Sequence, residues 1–263
     1  MRRLVLLVFI LISNYSSYTQ SKNLWNGKKC AVVLTYDDAM STHLDNAIPL
    51  LDSLGLKATF YLSGYFPGSR NRLTDWKLAA QSGHELANHT LFHPCAGKPG
   101  RNYVKSDYDL SNYTMQRLLD EIRMTNTFLE SLDGKKRRTF AYPCGDTKVG
   151  DESYVDKIKG DFVSARGVKD EMVTINKVDL FNVPAFNING QTGEQLIALV
   201  KKATEENALL VFLFHGVGGG HGLNVSLDAH RALLQYLKQH QHEIWITPFQ
   251  DATEYVKKYN APK

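Results

Sequence analysis

From residue 30 onward, short apolar runs alternate with longer stretches in which apolar positions recur every three or four residues. The short runs cover 30–36, 57–62, 84–88, 138–142, 162–165, 180–186, 209–214 and 243–247. Most are apolar throughout rather than alternating, the pattern of strands covered on both faces. Between them, helical periodicity covers 41–54, 75–82, 111–132, 152–159, 192–206, 226–240 and 249–259. Ser41 and Ser226 stand where N-caps belong, and Gly55, Gly83 and Gly134 stand just past helix C-termini. Seven or eight strands alternating with helices predict an α/β fold, a distorted (β/α) barrel of parallel strands in a single domain. The one long irregular stretch, 94–110, is the kind of loop that carries function.

Length and charge narrow the class. At 263 residues, 43% hydrophobic and 22% charged, the chain buries one large core. The formal charge of +4 includes Arg2 and Arg3, and without them the balance is near neutral. No periodic basic face is present, which excludes a nucleic-acid partner.

Arg2 and Arg3 precede nine unbroken apolar residues, Leu4 to Ile12, and then a polar stretch containing Ser13, Asn14, Ser16, Ser17 and Thr19. That order is the one found in a secretory signal peptide. Nine apolar residues are too few for an integral membrane span, which takes about 20. Residues 1–20 are therefore expected to be a signal peptide with cleavage near Tyr18 to Ser21, leaving 21–263 as an exported domain, periplasmic or secreted. In such a compartment the three cysteines, Cys30, Cys95 and Cys144, allow at most one disulfide. Cys95 and Cys144 each lie close to a motif described below, but three separate buried thiols remain an equal alternative.

Candidate chemistry gathers at strand ends. Asp37 and Asp38 end the first strand, His89 and His93 follow the third, Tyr142 to Gly145 end the fourth, and His215 ends the seventh. All then lie on the rim where barrels of this kind build their sites. A carboxylate and two histidines form a three-ligand metal set with open positions, and the second aspartate is a base beside it. The i, i+4 spacing of His89 and His93 predicts one helical turn presenting both rings on one side. Asp37 and Asp38 can share a site only if the chain turns out of the strand there, because successive strand residues face opposite ways. His215 is a candidate acid or base. The glycine-rich loop 216–222 lacks the lysine and the glycine spacing of a phosphate loop, which leaves it as a flexible rim segment whose His221 is a possible substrate contact.

Taken in order, Thr35-Tyr36-Asp37-Asp38, His89-Thr90-Leu91-Phe92-His93, Ala141-Tyr142-Pro143-Cys144-Gly145 and Leu213-Phe214-His215 resemble the motifs of the polysaccharide deacetylases. This family has a NodB-homology domain and is also called carbohydrate esterase family four, and the resemblance runs from about Lys29 to Tyr259. It implies a distorted (β/α) barrel with Asp38, His89 and His93 as metal ligands. Zinc is the first expectation, and Co2+, Ni2+, Mn2+ or Fe2+ suit the same ligands. It further implies Asp37 as general base, the Cys144 backbone N–H as oxyanion donor and His215 as the acid that protonates the departing amine or alcohol, so that activity falls as His215 loses its proton. Two departures stand out. The family's arginine beside the catalytic aspartate is Ala141 here, for which Arg166 is the candidate replacement. The aspartate and tryptophan pair of its fourth motif is missing, with Asp179 a weak candidate for the aspartate.

The implied activity is metal-dependent removal of acetyl groups from an acetylated glycan partner. Tyr36, Phe92, Tyr103, Tyr142 and Phe186 are candidate sugar-stacking surfaces. A C–N hydrolase acting on a small amide and a carbohydrate-binding protein with impaired catalysis are the alternatives.

Overall fold

A computed structural model of the chain describes residues 24–262. The expected signal segment therefore lies outside the described residues. Nine strands form one sheet among the described residues: β1 (Cys30–Asp37), β2 (Thr59–Leu62), β3 (Glu85–Asn88), β4 (Phe140–Ala141), β5 (Ala165–Arg166), β6 (Val173–Thr174), β7 (Phe186–Asn187), β8 (Ala208–Phe214) and β9 (Ile244–Ile246). Along the sheet the order is β5, β4, β3, β2, β1, β8, β6, with β9 also on β1 and β7 also on β8. All pairings are parallel except that of β6 with β8.

The sheet curls into a distorted barrel. Its ends approach through the segment that follows β6: Val183 bridges to Arg166 of β5, and β7, beginning three residues on, pairs with Phe212 and Leu213 of β8. All eight strand runs expected from the sequence overlap one of these strands, although several strands are only two residues long and the 162–165 and 180–186 runs share a single residue with theirs. The ninth, β6, is a short antiparallel edge piece.

Side-chain period two sorts the sheet into two faces. On β1, Val32, Leu34 and Tyr36 join the cluster packed under the outer helices, and Ala31 and Val33 join Tyr61, Ala87, Ala141, Val211 and Leu213 on the inner face. Asp37, His89 and His215 continue that inner set in register, each at an odd position beyond the last apolar residue of its strand.

The helices are α1 (Ile48–Ser53), α2 (Pro67–Arg70), α3 (Leu73–Gln81), α4 (Met115–Asp133), α5 (Val155–Ile158), α6 (Gly193–Glu206), α7 (Leu227–Gln239) and α8 (Phe249–Tyr259). Ser226 caps α7 by accepting from the Ala229 N–H. Gly55, Gly83 and Gly134 have positive φ, the left-handed backbone that ends a helix cheaply only with glycine.

Several boundaries differ from expectation. Ser41 caps nothing: the first turn is closed by His43 N–H to the Met40 carbonyl, and a π-helical turn, His43–Ala47, precedes α1. Helix α4 begins at Met115 with Thr114 as its cap, because Ser111 is already used in a 3-10 turn after Asp109. Part of the 152–159 run is instead a small ribbon that pairs Lys148–Val149 with Glu152–Ser153. Among the described residues no helix is long and apolar enough to cross a membrane.

Candidate active site

Every element of the site lies at the C-terminal end of the parallel strands. Asp37 is the last residue of β1 and faces inward. Asp38 and Ala39 then take left-handed backbone, with φ of 76° and 50°, and this turn brings the second carboxylate round to the same side. Gly68 of α2 supports it from behind. A Cβ there would sit 1.7 Å from the Ala39 carbonyl oxygen, so only glycine lets α2 pack this close.

His89 and His93 converge, with ring centroids 4.7 Å apart, but not on a helical turn. The chain leaves β3 irregularly, with left-handed backbone at Thr90 and His93. Asn88 and Thr90 hold this shape. Asn88 donates to the Ile122 carbonyl (2.8 Å) and accepts from the Thr90 N–H (2.8 Å), and the Thr90 hydroxyl accepts from the His93 N–H (2.9 Å). These local bonds replace the backbone ladder a helix would have used.

Tautomers follow from the partners. The Ala141 carbonyl can only accept, so His89 Nδ1–H donates to it at 2.8 Å and the Nε2 lone pair faces the carboxylates. That Nε2 is 3.6 Å from Asp37 Oδ2 and 3.7 Å from Asp38 Oδ1, and His93 Nε2 is 3.4 Å from Asp38 Oδ1. His93 Nδ1 lies 3.6 Å from the sulfur of Cys95, which is disulfide-bonded and has no proton to give, so its Nε2 is the lone-pair side too. Asp38 Oδ1 is buried with no hydrogen-bond partner. Three acceptors thus face one another with no donor between them, and one ligand atom from each of Asp38, His89 and His93 lies within 4.8 Å of the others. The set fits a divalent cation.

The charges agree. Burial would raise the Asp38 carboxyl, but His93, His89 and His215 outweigh it and leave it at about 2. Burial brings His89 down to about 4, so it is neutral at pH 7.

Arg166 is fully buried, and its Nη2 donates to Asp37 Oδ2 while Nη1 donates to the Gly167 carbonyl at 2.8 Å. Burial would raise the Asp37 carboxyl, but Arg166 above all, with His89 and His215, holds it below its ordinary value. The register explains why this residue stands in for the expected arginine: Arg166 on β5 is the direct partner of Ala141 on β4. The guanidinium thus comes from the adjacent strand at the level of Ala141.

His215 is close enough to both carboxylates for their charges to act on it. Burial lowers its imidazole and the carboxylates pull it back up. Its carbonyl accepts from buried His43 Nε2–H at 2.6 Å, and its ring stacks on exposed His221 (4.8 Å between centroids). Its Nδ1 is buried without a hydrogen-bond partner.

Cys144, with left-handed backbone at φ 55°, is joined to Cys95 by a disulfide. The bond ties the loop after His93 to the loop after β4. Asp146 reinforces it by accepting from the Ala96 N–H at 2.8 Å and pairing with Arg101 and Lys98. Cys30 keeps its thiol, buried and pushed up to about 11 by that burial.

Other expected contacts are elsewhere. Tyr142 is buried in the outer cluster with its hydroxyl donating to the Phe181 carbonyl (2.8 Å), because residue 142 faces away from residue 141. Tyr36 is buried for the same reason and bonds His230 Nε2 at 2.7 Å. Phe186 packs against the outer core. Asp179 is exposed, with Oδ1 accepting from the Phe181 N–H in a local turn, and does not support His215. His43, Asn88, Gly68 and Asp146 escaped the sequence reading. His43 alone gave a signal, as a polar residue on the apolar side of its helix.

A curled parallel barrel thus gathers two carboxylates, three histidines and a buried arginine at its strand ends. Residues 26–160 match the pattern of the polysaccharide deacetylase family, and the chain belongs to that family. The match ends before Arg166 and His215, but the structural likeness extends further. The Xyl-CE4 domain of a multidomain xylanase from the hindgut metagenome of Trinervitermes trinervoides superposes with a TM-score of 0.56 at 19% identity, over 89% of this chain and 93% of that one. The peptidoglycan deacetylase PdaC of Bacillus subtilis gives 0.51 at 14% identity, over 87% and 92%. In sequence, YlxY of Bacillus subtilis is 32% identical over 103 residues, which is 39% of this chain and 27% of YlxY. YxkH of the same organism is 26% identical over 120 residues, 45% of this chain and 38% of YxkH. The matches thus span well under half of these relatives.

Proposed function

We propose that the protein is a metal-dependent deacetylase of an acetylated glycan, exported after removal of an N-terminal signal peptide near residue 20. The observation that carries the reading is the set of unpaired acceptors on Asp38, His89 and His93 beside an Asp37 held by Arg166. Asp38, His89 and His93 would hold a divalent cation, zinc foremost. When bound there, such an ion polarises the acetyl carbonyl and makes a neighbouring water more acidic.

The chain's own residues divide the remaining work. Asp37, kept ionised by Arg166, takes a proton from the attacking water as general base. The Cys144 backbone N–H donates to the oxyanion of the tetrahedral intermediate, a contact that needs no particular side chain. His215 gives a proton to the departing amine or alcohol, and acetate leaves. A glycan substrate accords with the names of the structural relatives, one joined to a xylanase and one acting on peptidoglycan.

The test is acetate release from a panel of N- and O-acetylated oligosaccharides, with and without chelator. Release abolished by chelator and restored by added zinc is expected, whereas release indifferent to chelator contradicts the proposal.

A further inference from the structure

A cavity of about 520 Å³ opens beside His93 and is walled by aromatic rings. Phe92 stacks on Tyr108 with centroids 5.5 Å apart and meets Tyr65 edge-on at 5.0 Å. Tyr65 and Tyr103 are 48% and 66% exposed, so both rings present much of their surface to the cavity and solvent. Arg70 and Lys105 are the cations of the wall, and no carboxylate lines it. Arg70 lies over the Tyr65 ring at 4.7 Å. In the same 94–110 loop, Lys98 and Arg101 are both paired with Asp146, so the loop places its paired cations away from the cavity and leaves Lys105 in it.

Flat aromatic faces suit the C–H faces of pyranose rings, and a guanidinium with an ammonium beside them suits a carboxylate. We infer that this cavity is a subsite for a hexuronate unit of the glycan, next to the acetylated sugar at His93. The assignment rests on the deacetylase reading of the adjoining site. The disulfide and the Asp146 pairs hold the loop in place before substrate arrives, which lowers the ordering cost of binding.

Calorimetric titration of the whole protein with an oligogalacturonate and with a neutral galactan oligomer of equal length tests the subsite. The acidic oligomer is expected to bind at least about tenfold more tightly, equivalent to about 1.4 kcal/mol, and the preference should shrink as salt is raised. In the double variant Arg70→Gln/Lys105→Gln the affinity ratio should collapse toward one, with an unchanged melting temperature showing that it folds. Tyr103→Ala should weaken both oligomers. Equal affinities in the unaltered protein, or a preference that survives the double variant, would overturn the subsite. Acetate release is measured on the same samples: a preference without acetate from any substrate refutes the deacetylase reading alone, and acetate without a preference refutes the subsite alone.

Discussion

Asp37 and Arg166 form the pair on which the site's charge balance turns. Both are buried, so removing one leaves the other unpaired in a medium that penalises it by about 3–5 kcal/mol. Arg166→Ala should lower stability by that order and reduce turnover by at least about a hundredfold, since the general base loses the charge that keeps it ionised. Because Ala141 is its register partner, adding Ala141→Arg to the same chain should restore part of the activity. Kinetics of the single and double variants check this, and a double variant no better than the single one would show that the two positions are not equivalent. Residue by residue, much of this site was legible in the sequence. Asp37, His89 and His215 follow strands whose period places odd positions inward. The same period argues against Tyr36 and Tyr142 as sugar contacts, since each lies one residue from an inward position. Asp179 misled because an exposed Asp two residues before an aromatic N–H serves equally well as a local turn. Arg166 was already the candidate for the missing arginine, and the register adds the reason: it is the direct partner of Ala141 on the neighbouring strand.

At the scale of elements, the loops decide how well the site is held. The His89 to His93 segment was expected as a helical turn because i, i+4 spacing is all the sequence displays. The hydrogen bonds of Asn88 and Thr90 give the same convergence through left-handed backbone instead. The disulfide clamps this segment to the Cys144 loop. Its cysteines are 49 residues apart, a loop whose closure corresponds to about 4 kcal/mol in the chain-entropy account. Cys95→Ala/Cys144→Ala is therefore expected to lose about 2–4 kcal/mol of stability and also turnover, since His93 and the Cys144 N–H are both released. Denaturant unfolding and kinetics measure the two effects. A fall in stability with turnover unchanged would show that the clamp does not position the site.

The whole molecule carries several buried neutral histidines, and these set its response to acid. Burial lowers His84 to about 4 and His230 to about 3, against 6.5 for the free side chain. His84 accepts the Ala58 N–H at Nδ1 and faces Asp52 through Nε2, and His230 bonds the Tyr36 hydroxyl. With folded values below unfolded ones, protonation favours the unfolded chain. Their contribution is complete above about pH 6.5 and is lost as pH falls toward 4, by about 1.4 kcal/mol per pH unit for each histidine. Unfolding free energy measured from pH 7 to 5 should fall accordingly and fall less steeply in His84→Gln, whereas equal slopes would assign the acid loss to other groups. The barrel itself was legible from alternating strand and helix patterns, but β6 and the short ribbon were not. Their two-residue strands carry no period, and each exists only because a partner lies beside it: β8 for β6, and the other arm of its own turn for the ribbon.

In the proposed mechanism Asp38, His89 and His93 hold a metal while Asp37 is left free as the base. The most direct test measures metal content and acetate release on one preparation of Asp37→Asn. Metal bound as in the unaltered protein is expected, with turnover reduced by about a thousandfold or more. Near-normal turnover, or loss of metal together with activity, would contradict it.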